Sequence, residues 1–283
     1  MSRTGIFFHY QEGERLKDFP SALAGLLNRS NVFLYDALYA DKPKAAYELV
    51  PVSESLLKMV HSERLLKEVI RSEYYETALY SAGGTIQSAD KIWAGEIDNA
   101  FVFTGTGDHH AGRNLFGGGC YLNGAALAVT NLRQMYGVKR FVIVDTDAHH
   151  GDGTWDIFRH DENLLYICFC SARDLDRENN VNVKVPPLTT DDEYIGIVSE
   201  SIVSRIKEFR PELIFWNWGY DGTQGDYGDI GITSDCHIRL ARIFKQVADD
   251  VCYGRLIVVL CGGSERATAT YAIPRIIECL SDS

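Results

Sequence analysis

The sequence predicts an α/β protein, a parallel sheet covered by helices on both faces, and three observations lead there. Several short runs are apolar at consecutive positions, so both of their faces are buried, as in the strands of a covered parallel sheet. These runs alternate with longer stretches of 3.6-residue periodicity, the pattern of helices that connect parallel strands. The chain has 283 residues, 46% of them apolar, and a chain of that length buries about three-quarters of its unfolded surface without needing disulfide or metal staples. No repeat, low-complexity tract or linker interrupts it, so residues 1–283 read as one domain.

Each element has its own signal. Ile6-Phe7-Phe8 predicts a first strand. From Ser53 to about Tyr75, Leu56, Leu57, Val60, Leu65, Leu66, Val69 and Ile70 recur at helical spacing, with Ser53 as cap and Glu54 in the first turn. Ala100–Phe103 predicts a strand, and Leu122–Met135, rich in Ala, a helix. Phe141–Val144, Leu164–Phe169, Leu213–Trp216 and Leu256–Leu260 predict further strands. Thr190–Phe209 and Ser234–Val251 predict amphipathic helices.

Composition narrows the function classes. Lys and Arg number 28 against 39 Asp and Glu, a net charge of −11. A chain this acidic repels phosphate backbones, which argues against nucleic acid as a partner. No apolar run of about 18 residues exists, and Met1-Ser2-Arg3-Thr4 opens no secretory stretch, so no membrane partner is expected. The seven Cys are odd in number and scattered, with Cys168, Cys170 and Cys261 in apolar runs. Reduced, buried thiols in a cytoplasmic protein fit that pattern better than disulfides.

In parallel α/β sheets ligands bind beyond the carboxyl ends of the strands, and four predicted strand ends carry polar chemistry. Thr104-Gly105-Thr106-Gly107-Asp108-His109-His110-Ala111-Gly112 follows the first of these, and Asp145-Thr146-Asp147-Ala148-His149-His150-Gly151-Asp152-Gly153 the second. Asn217-Trp218-Gly219-Tyr220-Asp221-Gly222, with Asp226 close behind, follows the third; Cys261-Gly262-Gly263-Ser264-Glu265 follows the fourth. Four of the eight His lie in the two His-His pairs. In an extended segment Asp147 and His149 face the same way and can converge on one metal ion, with Asp221 arriving from another strand. Two carboxylates and an imidazole suit Zn²⁺, and three protein ligands leave a position open for water and substrate. His109 and His110 are then the candidate acid/base pair, with Asp145 and Asp152 as the carboxylates that orient them.

Together these segments resemble the histone deacetylase superfamily, which includes acetylpolyamine amidohydrolases and acetoin-utilisation proteins and shares its fold with arginases. Pro51-Val52-Ser53 to His61-Ser62 resembles the family segment ending in Val-His-Ser, and Tyr74 to Ala89, with Gly83-Gly84, its next helix pair. His109-His110-Ala111 is similar to its Gly-His-His-Ala, and Gly118-Gly119-Cys120-Tyr121-Leu122-Asn123 to its Gly-Phe-Cys-x-x-Asn. Asp145 to Gly153 resembles Asp-x-Asp-x-His-His-Gly-Asp-Gly, the most specific of these motifs, and Tyr220-Asp221 through Asp226 the third metal-ligand motif. The resemblance implies a three-layer αβα sandwich with an eight-stranded parallel sheet of the arginase/deacetylase type. It implies Zn²⁺ on Asp147, His149 and Asp221, His110 as general base or acid paired with Asp152, and His109 paired with Asp145 deeper in the pocket. Structural K⁺ near the strand that carries Asp145 is a secondary expectation.

The departures from the family pattern matter as much. The family usually ends in Gly-Gly-Gly-Tyr, whose phenol stabilises the tetrahedral oxyanion; here Glu265 holds that position. An ionised carboxylate repels an oxyanion and cannot donate to it. Glu265 has three open roles: binding a cationic part of the substrate, acting as a protonated acid after burial, or yielding to another donor such as Tyr220, Tyr227 or Tyr271. Gly119 stands where the family places a Phe that lines the acyl tunnel, and Tyr220 flanks the third metal ligand. His9-Tyr10-Gln11-Glu12-Gly13 replaces the family's His-Pro-Glu-x-Pro rim, and Asp108 adds negative charge near the mouth.

The expected function is zinc-dependent hydrolysis of an acylated amine, more a small or polyamine-like molecule than a histone. Two alternatives stay open. One is a metal-holding deacetylase-like protein with altered or lost catalysis, suggested by Glu265 and Gly119. The other is an arginase-like binuclear hydrolase, in which Asp145, Asp226 and Glu265 serve a second metal. The sequence leaves the oligomeric state undetermined.

Overall fold

The computed structural model describes residues 1–8, 19–36, 50–170 and 179–282; the His9–Gly13 rim lies outside the described residues. Among the described residues one sheet holds eight strands, all parallel. They are β1 (Thr4–Phe8), β2 (Val32–Asp36), β3 (Asn99–Val102), β4 (Phe141–Asp145), β5 (Leu164–Cys170), β6 (Asn180–Lys184), β7 (Leu213–Trp218) and β8 (Leu256–Leu260). Their spatial order is β2-β1-β3-β8-β7-β4-β5-β6. After β3 the chain leaves a gap, lays down β4 and builds outward to β6, then returns to fill the gap with β7 and β8. The carboxyl ends of β3, β8, β7 and β4 therefore form one continuous rim.

Side chains alternate across the sheet with the strand period of two. Val142, Val144, Ile214, Trp216 and Val258 pack on one face, with α1 (Phe19–Leu27), α7 (Asp191–Phe209), α8 (Ser234–Cys252) and α9 (Arg266–Ser281). Phe141, Ile143, Phe215, Ile257 and Val259 pack on the other, under α2 (Glu54–Val60), α3 (Glu63–Val69), α4 (Tyr75–Trp93) and α5 (Gly124–Tyr136). Two cores flanking one sheet make the three-layer sandwich. Each fully buried aromatic such as Phe215 or Trp216 contributes roughly 1.5–3 kcal/mol of apolar burial. None of the described helices is long and apolar enough to cross a membrane.

One sequence expectation needs correction. The helix expected over Ser53–Tyr75 is broken at His61, whose backbone is extended (φ −104°, ψ 143°), and restarts after Ser62, whose side chain accepts a hydrogen bond from Leu65 N at 3.2 Å. The apolar period runs through both pieces because both bury the same face. The break has a use. His61 is buried, its Nδ1 lies 2.8 Å from the Gly112 carbonyl, and its Nε2 accepts from Asn123 N at 3.1 Å. Burial lowers its pKa to about 4, so the ring is neutral, as an acceptor at Nε2 must be.

Strands β2 and β6 lie at the two edges of the sheet, and β6, Asn180-Val181-Asn182-Val183-Lys184, alternates polar and apolar residues in place of a continuous apolar run. Helix α6 (Asp152–Phe158) begins inside the polar motif after β4, which reads by sequence as loop.

Candidate active site

The loop after β4 does not continue the strand, as the sequence reading supposed; it coils through two Asx-type turns. Asp145 Oδ1 accepts from Asp147 N at 3.2 Å, and Asp147 Oδ1 accepts from His149 N at 2.9 Å. The second turn folds the His149 ring back, so that its Nδ1 lies 3.1 Å from Asp147 Oδ1. Asp221, from the loop after β7, is tied to the same coil by Ala148 N, which donates to its Oδ1 at 3.2 Å. Asp147, His149 and Asp221 thus present one ligand atom each within 4.8 Å of one another.

Three features suit this cluster to a divalent metal. Asp221 Oδ2 is fully buried and receives no well-directed hydrogen bond, although His149 Nδ1 is 2.8 Å away. Glycines surround the carboxylates: a Cβ on Gly219 would lie 2.7 Å from Asp221 Oδ1 and overlap Asp147 Oδ2, and one on Gly228 would lie 2.7 Å from Asp221 Oδ2. The electrostatics ask for a cation. The carboxylates of Asp147 and Asp221, 3.1 Å and 2.8 Å from its Nδ1, raise the His149 pKa to about 10. Burial, with repulsion from Asp147, raises Asp221, while His109 and His149 overcome burial to hold Asp147 below the usual carboxylate range. Two close carboxylates favour positive charge between them, and the donor set of two carboxylates and an imidazole suits Zn²⁺.

Beside this cluster stand the two imidazoles of the β3 loop, their ring centroids 4.2 Å apart. His109 is buried, with Nδ1 2.9 Å from Asp145 Oδ2 and Nε2 3.7 Å from Asp147 Oδ1. Burial opposes its charge, but Asp145, Asp147 and Asp221 prevail and push its pKa to about 10. Tyr166, missed by sequence reading, donates its hydroxyl to the same Asp145 Oδ2 at 2.8 Å. His110 is 21% exposed and its Nδ1 lies 2.7 Å from Asp152 Oδ1; Asp152 is 53% exposed. Asp108 is not at the mouth. It is buried at the start of α5, where its carboxylate accepts from the Gly124 and Ala125 backbone N–H groups, the helix end that favours negative charge.

Gly153 lets α6 pass under this loop: a Cβ there would overlap the backbone of His110 and Ala111, coming within 2.5 Å of Ala111 N. Backbone cannot rotate aside as a side chain can. Gly153→Ala is therefore expected to lower the unfolding free energy by about 3 kcal/mol in denaturant melts; a change below about 0.5 kcal/mol, the size of an ordinary surface substitution, would show that the loop has room.

The β8 end contributes a turn rather than a phenol. Glu265 is exposed, caps the start of α9 and lies outside the cleft, so of the sequence-predicted site residues it is the one the structure does not bring in. Asp226 holds this turn, accepting from Ser264 N (2.8 Å), Glu265 N (2.9 Å), Ser264 Oγ (2.5 Å) and Tyr227 N (2.8 Å). Gly119, with φ +80° and open space where a Cβ would be, and Tyr220 line a cleft of about 110 Å³, together with Thr104–Gly107, Gly118, Tyr227 and Leu260–Gly263. Gly262 borders both cleft and metal cluster, since a Cβ there would overlap Asp147 Oδ2.

A second set, His150, Cys168 and Cys170, also has ligand atoms within 4.8 Å of one another. Burial raises the Cys168 thiol well above its ordinary range, which keeps it protonated, and Cys170 Sγ lies 3.4 Å from His150 Nδ1.

Comparison with known proteins places this geometry. Residues 36–280 match the family model described as the histone deacetylase domain. The chain is 33% identical over 204 residues to a protein named "Probable deacetylase" from Archaeoglobus fulgidus, covering 67% of this chain and 56% of the relative. It is 31% identical over 222 residues to a "Histone deacetylase-like amidohydrolase" from Pseudomonas aeruginosa, covering 73% and 58%. The chain thus spans a little over half the length of these relatives. The crystal structure of the HDA15 HD domain superposes with a TM-score of 0.83 at 22% identity, over 100% of this chain and 89% of that one, a likeness of fold.

Proposed function

The chain belongs to the histone deacetylase domain family, and from that premise we propose that it is a zinc-dependent amidohydrolase that cleaves acylated amines. The observation that carries the reading is the orphaned carboxylate oxygen of Asp221, set in a glycine-lined cradle with Asp147 and His149, next to the His110–Asp152 pair. Asp147, His149 and Asp221 would hold the ion. Zinc, when bound, would polarise the acyl carbonyl and make an attacking water more acidic.

The remaining chemistry belongs to side chains of the chain. His110, the more accessible imidazole, takes the proton of the attacking water, while Asp152 fixes its tautomer by accepting from Nδ1. Protonated His110, or His109 behind it, then gives a proton to the leaving nitrogen so that the amine departs. His109 keeps positive charge between Asp145 and Asp147, and Tyr166 and the Asp147 N–H hold Asp145 in place.

A small or polyamine-like acyl-amine suits the site better than a histone: the net charge of −11 attracts a cationic amine, and Gly119 leaves the cleft wall open. The seven cysteines are all free thiols, in keeping with a reducing cytoplasmic setting. The binuclear alternative is less well supported, because Asp226 already accepts four hydrogen bonds and Glu265 is exposed. Purified protein assayed on acetyl-lysine and acetylpolyamine panels is expected to release amine, to lose that activity on chelation and to regain it with added zinc. Turnover unaffected by metal stripping would end the zinc-dependent reading, and bound zinc without turnover on any acyl-amine would favour the non-catalytic one.

A further inference from the structure

The hydrolase just described needs a hydrogen-bond donor for the oxygen on which charge develops, and the turn after β8 offers no side-chain donor. Ser264 donates its hydroxyl to Asp226, and Glu265 points to solvent. Three tyrosines come into question. Tyr271 lies on α9 and donates its hydroxyl to Asp235 at 2.6 Å, away from the cleft. Tyr220 is buried as a packing ring, its centroid 5.5 Å from Trp218, with its face against Gly263, where any Cβ would overlap it.

Tyr227 differs from both. Although 61% of the residue is exposed, its hydroxyl end is tucked into the Gly262–Gly263 turn, where Tyr227 Oη accepts from Gly263 N at 2.9 Å. A Cβ on Gly262 would lie 2.9 Å from that hydroxyl and would also overlap Asp147 Oδ2, so a glycine-sized gap is all that separates phenol and metal cluster. The Tyr227 ring centroid is 5.6 Å from that of His149. The hydrogen bond from Gly263 N fills one lone pair of the oxygen and leaves the O–H proton to be donated elsewhere. An ordinary phenol, with a pKa of about 10, is protonated at neutral pH. Asp226 fixes the whole device, since the carboxylate that accepts from Tyr227 N also accepts from the β8 turn.

We propose that Tyr227, carried on the β7 loop beside ligand Asp221, is the oxyanion donor of this site, moved from the β8 turn to the neighbouring strand end. This rests on the hydrolase reading, and the test separates the two. Zinc-loaded wild type and Tyr227→Phe are compared in three ways: zinc content, kcat and KM on acetyl-amines, and affinity for a trifluoromethyl ketone analogue of acetyl-lysine, whose hydrate mimics the tetrahedral state. Loss of one oxygen from a ring with an exposed face leaves the fold and zinc content unchanged. The expected result is a kcat lower by about 10²–10³-fold with KM little changed, and a comparable loss of affinity for the ketone. A variant that keeps kcat and ketone affinity within threefold of wild type would overturn the assignment of Tyr227 alone. Wild type that binds zinc but neither turns over acetyl-amines nor binds the ketone would overturn the hydrolase reading and this assignment with it.

Discussion

Asp221→Asn is expected to remove zinc binding and turnover together while the metal-free protein stays folded. The substitution keeps the side-chain shape and the oxygen that accepts from Ala148 N, but removes the buried charge at the orphaned Oδ2. Without metal, burial disfavours the Asp221 charge and repulsion from Asp147 adds to it, which together raise its pKa. Neutralising one of them therefore leaves the melting temperature of metal-free protein equal or higher. With zinc the comparison reverses: wild type at a hundredfold excess of ligand over Kd gains about 2.7 kcal/mol, and the variant gains nothing. Losing a Lewis acid that supplies several kcal/mol of transition-state stabilisation lowers the rate by at least about 10³-fold, at 1.36 kcal/mol per decade. Calorimetric zinc titration, thermal melts with and without zinc, and steady-state assay together check this. A variant that still shows a zinc-dependent rise in melting temperature would place the metal elsewhere.

The second large effect falls on His110. His110→Ala is expected to keep zinc and fold but lose about 10²–10⁴-fold in kcat, the usual contribution of a positioned acid/base group. Zinc is retained because His110 is not among the three ligands. Asp152→Asn should cost less than Asp145→Asn. The Asp152 carboxylate is 53% exposed, and solvent screens its hold on His110, whereas Asp145 is fully buried and holds His109 in a low-dielectric setting. Assays of these three variants at matched zinc content give the order; equal losses for Asp152 and Asp145 would show that exposure does not govern the pairing.

Much of the site was legible because chemistry-bearing residues sit directly after apolar runs. Asp147, His149, Asp221, His109 and His110 were read from that rule and from the family motifs, and the structure brings them together with Asp145 and Asp152. The way they meet was not legible. A strand period placed Asp147 and His149 on one face, yet two Asx turns do the work, because short side-chain acceptors next to free backbone N–H groups outcompete an extended chain once β4 has ended. Asp108 read as a charge at the mouth because its partners, the N–H groups of Gly124 and Ala125, lie more than a dozen residues away. Tyr166 carried no signal, since a phenol in an apolar strand looks like ordinary packing until Asp145 is placed beside it, and His61 was read only as part of a family segment, its contact with Asn123 unforeseen.

The sequence alone determined the class of fold and the list of reactive groups, because backbone periodicity and residue chemistry are local properties that need no partner to be read. Tertiary structure decided who faces whom. The order β3-β8-β7-β4 interleaves distant segments, so that the β7 and β8 loops, far from the β4 motif along the chain, become its neighbours. That adjacency sends Glu265 to solvent and brings Tyr227 to the Gly262–Gly263 gap, a result of strand order and of the space left by missing side chains, neither of which is written at any single position.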